Sequence, residues 1–173
     1  MNRKMRTRSV AYEAGASFPY LGKEYTLEIR RYRSYARPGV MAEGNKLVVL
    51  TARTETSVIE EAVKNWYENR AKQVLTDRVE QYRRQLGETI GAVRIKNVKS
   101  RWGSCSSKRN LNFNWRLVMA PPEILDYVVV HELCHLQQMN HSAAFWSLVE
   151  GILPDYKQRR DWLKTCGLIE RYQ

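Results

Sequence analysis

An α+β fold is predicted by three features of the chain. Alternating apolar segments crowd residues 20–51, a helical stripe about thirty residues long follows, and a second set of alternating segments leads into a strongly apolar helix near residue 130. The division reads as a small N-terminal β-rich lobe, residues 1–56, packed on a core of residues 57–173, with one compact unit overall. In the lobe, Tyr25-Thr26-Leu27-Glu28-Ile29 alternates, and Val40-Met41-Ala42 and Leu47-Val48-Val49-Leu50 flank the turn residues Gly44-Asn45. Together Tyr20 to Thr51 suit an antiparallel meander.

Ser57 with Glu60 three residues on has the form of a capping box. Ile59, Ala62, Val63, Trp66, Val74, Val79, Tyr82 and Leu86 follow at helical spacing, so one long helix is expected from about Ser57 to Leu86, ended by Gly87 and Gly91. No heptad is maintained, which favours a helix laid across its own domain over a coiled coil. Val93 to Val98 and Leu111 to Trp115 alternate and are expected to form a pair of strands, with the Gly-, Ser- and Asn-rich stretch Gly103 to Asn110 between them. Pro121-Pro122 opens the next helix, whose Ile124, Leu125, Val128, Val129 and Leu133 form a buried stripe. Ser142 is placed to cap a short helix carrying Phe145, Trp146 and Val149, Gly151 is expected to break it, and Pro154 to open a last helix running toward Gly167.

Composition narrows the class. Three cysteines (Cys105, Cys134, Cys166) without a C-x-x-C pair suit reduced thiols in a cytosol-like compartment. Met1 to Val10 is basic with no apolar stretch behind it, and no aliphatic run approaches the roughly 20 residues of a membrane span, so a soluble cytoplasmic protein is expected. Lys and Arg number 29 against 18 Asp and Glu, a formal charge of +11 that favours association with polyanions such as nucleic acid.

All 3 histidines lie between His131 and His141. His131 and His135, four apart on a helix, project from one face and can converge on one ion. Glu132 beside the first suits the general base of the H-E-x-x-H arrangement, taking a proton from a metal-bound water. His141, past a helix end at which Asn140 can take the left-handed turn, supplies the third ligand, giving three imidazoles plus water. Zinc is the expected ion, although three imidazoles also accept nickel or another divalent transition metal. The histidine spacing also fits the metzincins, but Gln138 stands where they have Gly and no Met follows Met139.

Ser100-Arg101-Trp102-Gly103-Ser104-Cys105-Ser106, Asn112-Phe113-Asn114-Trp115, Tyr127 to His135, Asn140-His141-Ser142 and Phe145-Trp146 together resemble the YgjP-like metallopeptidase family. The resemblance is dense from about Val93 to Leu163 and looser before. It implies a zincin-like helix and sheet core, zinc on His131, His135 and His141, and Glu132 as base. From the residues themselves, Arg101, Ser104 and Ser106 are candidates for substrate or anion contacts, the segment Arg101 to Ser106 could offer a strand edge to an extended substrate, and Gly103 could permit a bulge. Tyr127, one turn before His131, is a candidate transition-state contact, whereas Trp115 and Trp146 read as core walls.

The leading expectation is therefore a metal-dependent peptidase acting on peptide or protein substrates. One alternative is a nucleoside triphosphate (UTP-type) pyrophosphatase using the same site, against which stand the lack of a G-x-x-x-x-G-K loop and of a carboxylate cluster for magnesium. Another is a nucleic-acid-associated protease resembling the SprT-like group, or a nucleic-acid-binding module.

Overall fold

The computed structural model describes residues 10–172, so the basic segment before Val10 lies outside the described residues. The architecture is α+β: two small sheets joined by one long helix, with the remaining helices gathered around the second sheet. Strands β1 (Ser17–Tyr20), β2 (Lys23–Arg31), β3 (Gly39–Glu43) and β4 (Lys46–Thr51) make the first sheet in the order β1-β2-β4-β3. The expected meander is corrected here, because β2 pairs with β4 in parallel and β3 closes the far edge through an antiparallel hairpin with β4. Burial decides the order. Leu47, Val48 and Val49 are all buried, which suits a central strand, whereas Met41 of β3 is exposed and tolerates the edge.

Helix α1 (Thr56–Leu86) is the scaffold. Ile59, Val63, Tyr67, Ala71, Leu75 and Val79 recur every three or four residues and bury one continuous stripe. That stripe touches β3 and β4 at one end and β5 and α2 toward the other. The capping box does not form: Glu55, two residues before Ser57, is the N-cap, and Glu60 pairs instead with Lys64 at 2.7 Å. Gly87 ends the helix in the left-handed conformation at φ 68°, its N–H bonding back to Arg83 and Arg84 carbonyls.

The second sheet also departs from the expected pair. Strand β5 (Val93–Lys96) runs parallel to β7 (Leu111–Asn114), and Gly103–Cys105, read as part of a loop, is strand β6, antiparallel to β7 at the sheet edge. Trp115, expected in a strand, begins a 3₁₀ segment (Trp115–Met119) because the Asn114 side chain accepts the Arg116 N–H and turns the chain. Helix α2 (Pro122–Cys134) follows, then α3 (Ala143–Ile152), α4 (Tyr156–Thr165) and an unexpected short α5 (Leu168–Arg171). Gly151 lies inside α3 rather than breaking it; the helix stops before Pro154, whose ring disfavours helical backbone at Leu153. The last long helix begins after Asp155, two residues beyond Pro154.

Arg116 is a buried knot in this packing. Its guanidinium donates to the Tyr172 carbonyl and to the Asn97 and Asn114 carboxamides, and lies 4.4 Å from the Trp115 ring centroid. Nearby, the Tyr67 hydroxyl donates to the Pro19 carbonyl at 2.7 Å and the Tyr172 hydroxyl to the Ser17 carbonyl at 3.0 Å, tying β1 to α1 and to the chain end. One hydrophobic cluster accordingly includes Phe18 and Leu27 together with Phe113 and Leu125.

We propose that the two parts, residues 1–56 and 57–173, unfold together. Tyr67→Phe leaves the Pro19 carbonyl without its partner and should cost about 1–3 kcal/mol. Chemical denaturation followed by tryptophan fluorescence and by circular dichroism should move as one transition; two separated transitions would show independent units.

Candidate metal centre

The apolar run Tyr127-Val128-Val129-Val130 seats α2 in the core and fixes which way its last turn faces. From that turn come His131 and Glu132, with His135 at the C-cap still in helical conformation. The helix ends at Cys134, and Asn140 does not adopt the left-handed turn expected of it; among the described non-glycine residues only Leu21 and Arg109 have positive φ. The reversal is built instead from a tightened end, Leu136 N–H to Leu133 and Gln138 N–H to Cys134, pinned by His135 Nδ1 at 3.0 Å from the Gln138 carbonyl. That turn returns His141 to the helix face.

One ring nitrogen from each of His131, His135 and His141 can be chosen so that all lie within 4.8 Å of one another. His131 Nε2 stands 3.0 Å from His141 Nε2. Two imidazole nitrogens bound tetrahedrally at about 2.0–2.1 Å would stand about 3.3 Å apart, so the spacing fits one small dication. Tautomers agree with this. A carbonyl only accepts, so His135 Nδ1 carries the proton toward Gln138 and leaves the Nε2 lone pair free. The Tyr127 hydroxyl lies 3.4 Å from His131 Nδ1 and helps to orient that ring.

Burial keeps the rings neutral. His131 is pushed down from 6.5 to about 3, mainly by burial and then by its two histidine neighbours, and His135 is lowered by burial first. Phe145, completely buried at the start of α3, stacks on His135 (4.5 Å between centroids, 26° between planes) and meets His131 and His141 edge-on. Trp146 stacks on His141 at 5.7 Å and 22°. Sequence reasoning assigned Trp146 to the core and gave Phe145 no role in the site. The available signal was the Ser142 cap, which forms as expected by accepting the Phe145 N–H at 3.3 Å and so sets both rings one turn after His141.

Glu132 is buried, and its carboxyl is pushed up from 4.5 to about 8 by burial, against a smaller opposing pull from Arg101. Its neighbour across the cleft is β6. A Cβ added at Gly103 would stand 2.7 Å from Glu132 Oε1 and 2.9 Å from its Cγ, so glycine is required there by space, and not for the bulge expected of it. Among the other candidates, Ser106 Oγ is occupied by the Asn110 N–H in a turn, and Ser104 Oγ accepts from Asn112 Nδ2. Arg101 is exposed and reaches Glu132 through charge alone. Tyr127 lines a cavity of about 330 Å³ together with His131, Glu132 and Gly103. Cys134 is buried, as expected for a small core residue.

The family described as the YgjP-like, metallopeptidase domain matches residues 1–166. The chain belongs to this family. It is thereby a member of a group of metallopeptidase domains, metal-dependent hydrolases of peptide bonds. Two solved structures are similar to the YgjP-like chain. The metallopeptidase zymogen abylysin of Pyrococcus abyssi is 25% identical, with 57% of this chain and 98% of that chain covered and a TM-score of 0.48. The zymogen jannalysin of Methanocaldococcus jannaschii is 24% identical, with 52% and 93% covered and a TM-score of 0.47. No curated protein matches. Among the described residues no helix is long and apolar enough to cross a membrane.

In the metal-free protein the folded chain holds the Glu132 proton up to about pH 8, whereas the unfolded chain releases it near 4.5. Folded His131 stays neutral down to about pH 3, whereas unfolded histidine protonates near 6.5. Between pH 4.5 and 6.5 the two oppose each other. Above 6.5 the difference at His131 is gone, the folded state binds more protons at Glu132, and stability falls with rising pH by up to about 1.4 kcal/mol per unit. The Cys134 thiol, raised from 9 to about 11 by burial, adds to the fall only as the pH approaches 9. Below 4.5 the histidines are joined by Glu28, Glu43, Glu80 and Asp161, whose carboxyls are held low by their cationic partners, and stability falls as pH drops. Urea titrations from pH 5.5 to 8.5 should show the alkaline decline in the native chain and not in Glu132→Gln; equal slopes would contradict it. Separately, Gly103→Ala should displace Glu132 and lower activity about 10- to 100-fold with the fold retained by circular dichroism.

Proposed function

We propose that this YgjP-like domain is a zinc-dependent peptidase in which His131, His135 and His141 hold the ion and Glu132 is the general base. The convergence of three imidazoles beside a buried carboxylate carries the reading. A divalent ion held there supplies a Lewis acid for a substrate carbonyl and lowers the pKa of water toward neutrality. Glu132 takes the proton of the attacking water and returns it to the departing amine. The Gln138 carbonyl holds the His135 ring in the tautomer that leaves Nε2 free, and Tyr127 helps to orient the His131 ring.

An extended peptide suits the remaining surface. Strand β6 pairs on one side only, with β7, and its backbone runs beside Glu132 through Gly103. Arg101, two residues before this strand, is the residue we assign to contact the substrate chain, whereas Ser104 and Ser106 serve the local hydrogen bonding of β6 and its turn. The pyrophosphatase alternative gains no support from the family. Among the described residues the three histidines are the sole grouping of His, Cys, Asp and Glu side chains able to hold an ion, so no carboxylate cluster provides for magnesium.

The test is hydrolysis of a denatured protein pool by the zinc-loaded chain, with a nucleoside triphosphate panel in parallel. Glu132→Gln should retain zinc and lose about 10²- to 10⁴-fold of peptide cleavage. Pyrophosphate release abolished by the same substitution, with peptides untouched, would replace the peptidase reading.

A further inference from the structure

The 330 Å³ cavity beside His131 and Glu132 has mostly apolar walls, from Trp102, Tyr127, Val128 and Leu163, and two cations among its lining residues, Arg160 and Lys164 of α4. Arg160 is the unusual one. Its side chain is 35% exposed, its Nε is sealed from solvent with no hydrogen-bond partner, and among the described residues its guanidinium makes no hydrogen bond. The plane is nevertheless held, 5.4 Å from the Trp146 centroid and 5.9 Å from that of Tyr156. Those two rings stack on each other at 5.2 Å, and Trp146 also stacks on His141, so the same indole positions a histidine and the guanidinium.

Asp161 lies 3.6 Å from Arg160 Nε and 3.0 Å from Lys164 Nζ, so one carboxylate is shared by two cations and a positive charge is left over. A fixed guanidinium fork with unused donors, in an apolar-walled cavity, is built to receive a planar anion. A phosphate-bearing ligand would gain little from the apolar walls, whereas a side chain with methylenes and a terminal carboxylate matches both walls and fork.

We propose that this cavity is a subsite for a carboxylate-bearing residue flanking the bond that is cut, recognised by Arg160 with Lys164 at its rim. The inference rests on the peptidase reading of the adjoining site. The carboxylate has two sources, an aspartate or glutamate side chain or the free carboxyl terminus of the substrate. A substrate seated here lies next to Glu132, so its recognition sets which bond is presented to the base.

The experiment has two arms. In the first, the zinc-loaded full chain cleaves a mixed peptide library, prepared with free and with amidated carboxyl termini, and cleavage sites are mapped by mass spectrometry. Acidic residues next to the cut, or a requirement for the free terminus, should be favoured about 10- to 100-fold, and Arg160→Gln should erase that preference. Persistence of the preference after amidation identifies the side chain, and its loss the terminus. Peptide cleavage without either preference overturns the inference and leaves the peptidase reading intact. In the second arm, 3-phenylpropionate and its amide are titrated into the zinc-loaded protein by tryptophan fluorescence. Wild type should bind the carboxylate at least about fivefold more tightly, with the difference lost in Arg160→Gln and reduced in Lys164→Gln. A preference that survives Arg160→Gln would place the carboxylate on the ion and overturn the subsite. An Arg160-dependent preference with no peptide cleaved by any preparation would instead uphold the subsite and remove the peptidase reading.

Discussion

Three imidazoles meet at one point beside a buried carboxylate, and most of the local architecture answers to that constraint. A helix can bring two of them together but not a third at short spacing, so the chain has to turn back within a few residues of His135. The turn is closed by the His135 ring itself, bonded to the Gln138 carbonyl, so the ligand that needs orienting also shapes the segment that delivers its neighbour. Phe145 packs against all three rings, and burial of the His131 and His135 rings suppresses their protonation. Metal affinity and folding are coupled through this packing: the same desolvation that keeps the donors unprotonated leaves them without solvent partners.

The Glu132 carboxylate obeys a related geometry from the opposite side. Glu132 follows His131 on the helix and points toward β6, where a side chain of any size at residue 103 would collide with it. The long helix α1 holds this arrangement by packing on the first sheet, on β5 and on α2, with Arg78 of α1 paired to Asp126 of α2 at 2.9 Å. Arg116, buried without a carboxylate partner, ties the 3₁₀ segment to the chain end through carbonyl and carboxamide acceptors. The N-terminal sheet lies far from the histidines in sequence, yet it joins the same hydrophobic cluster as the site helix.

Local signals were legible where one physical effect dominates. The α1 stripe, Pro122 at the start of α2, the Ser142 cap and the left-handed Gly87 all stand as their residues imply. Signals were misread where two effects compete. Ser57 and Glu60 have capping-box spacing, but Lys64 sits one turn beyond Glu60 and draws its carboxylate away. Gly151 lowers helix propensity, but Pro154 acts on the backbone more strongly and decides the end. Strand pairing was the hardest, since alternation marks β2, β3 and β4 without saying which is central; the burial of Leu47, Val48 and Val49 on both faces settles it.

By itself the sequence determined the α+β class, the long helix and the family resemblance, and it singled out three histidines and one glutamate as candidates for a metal centre, because their fixed spacing at the end of an apolar helix is written locally. The tertiary structure alone decided what surrounds them: parallel pairing in both sheets, β6 as an edge strand, Phe145 and Trp146 against the imidazoles, Gly103 against Glu132, and Arg160 in the adjoining cavity. The reason is range. Helical spacing and turn chemistry act over a few residues and are written locally, whereas the position of β6 or α4 beside α2 depends on which buried surfaces fit together across tens of residues of chain.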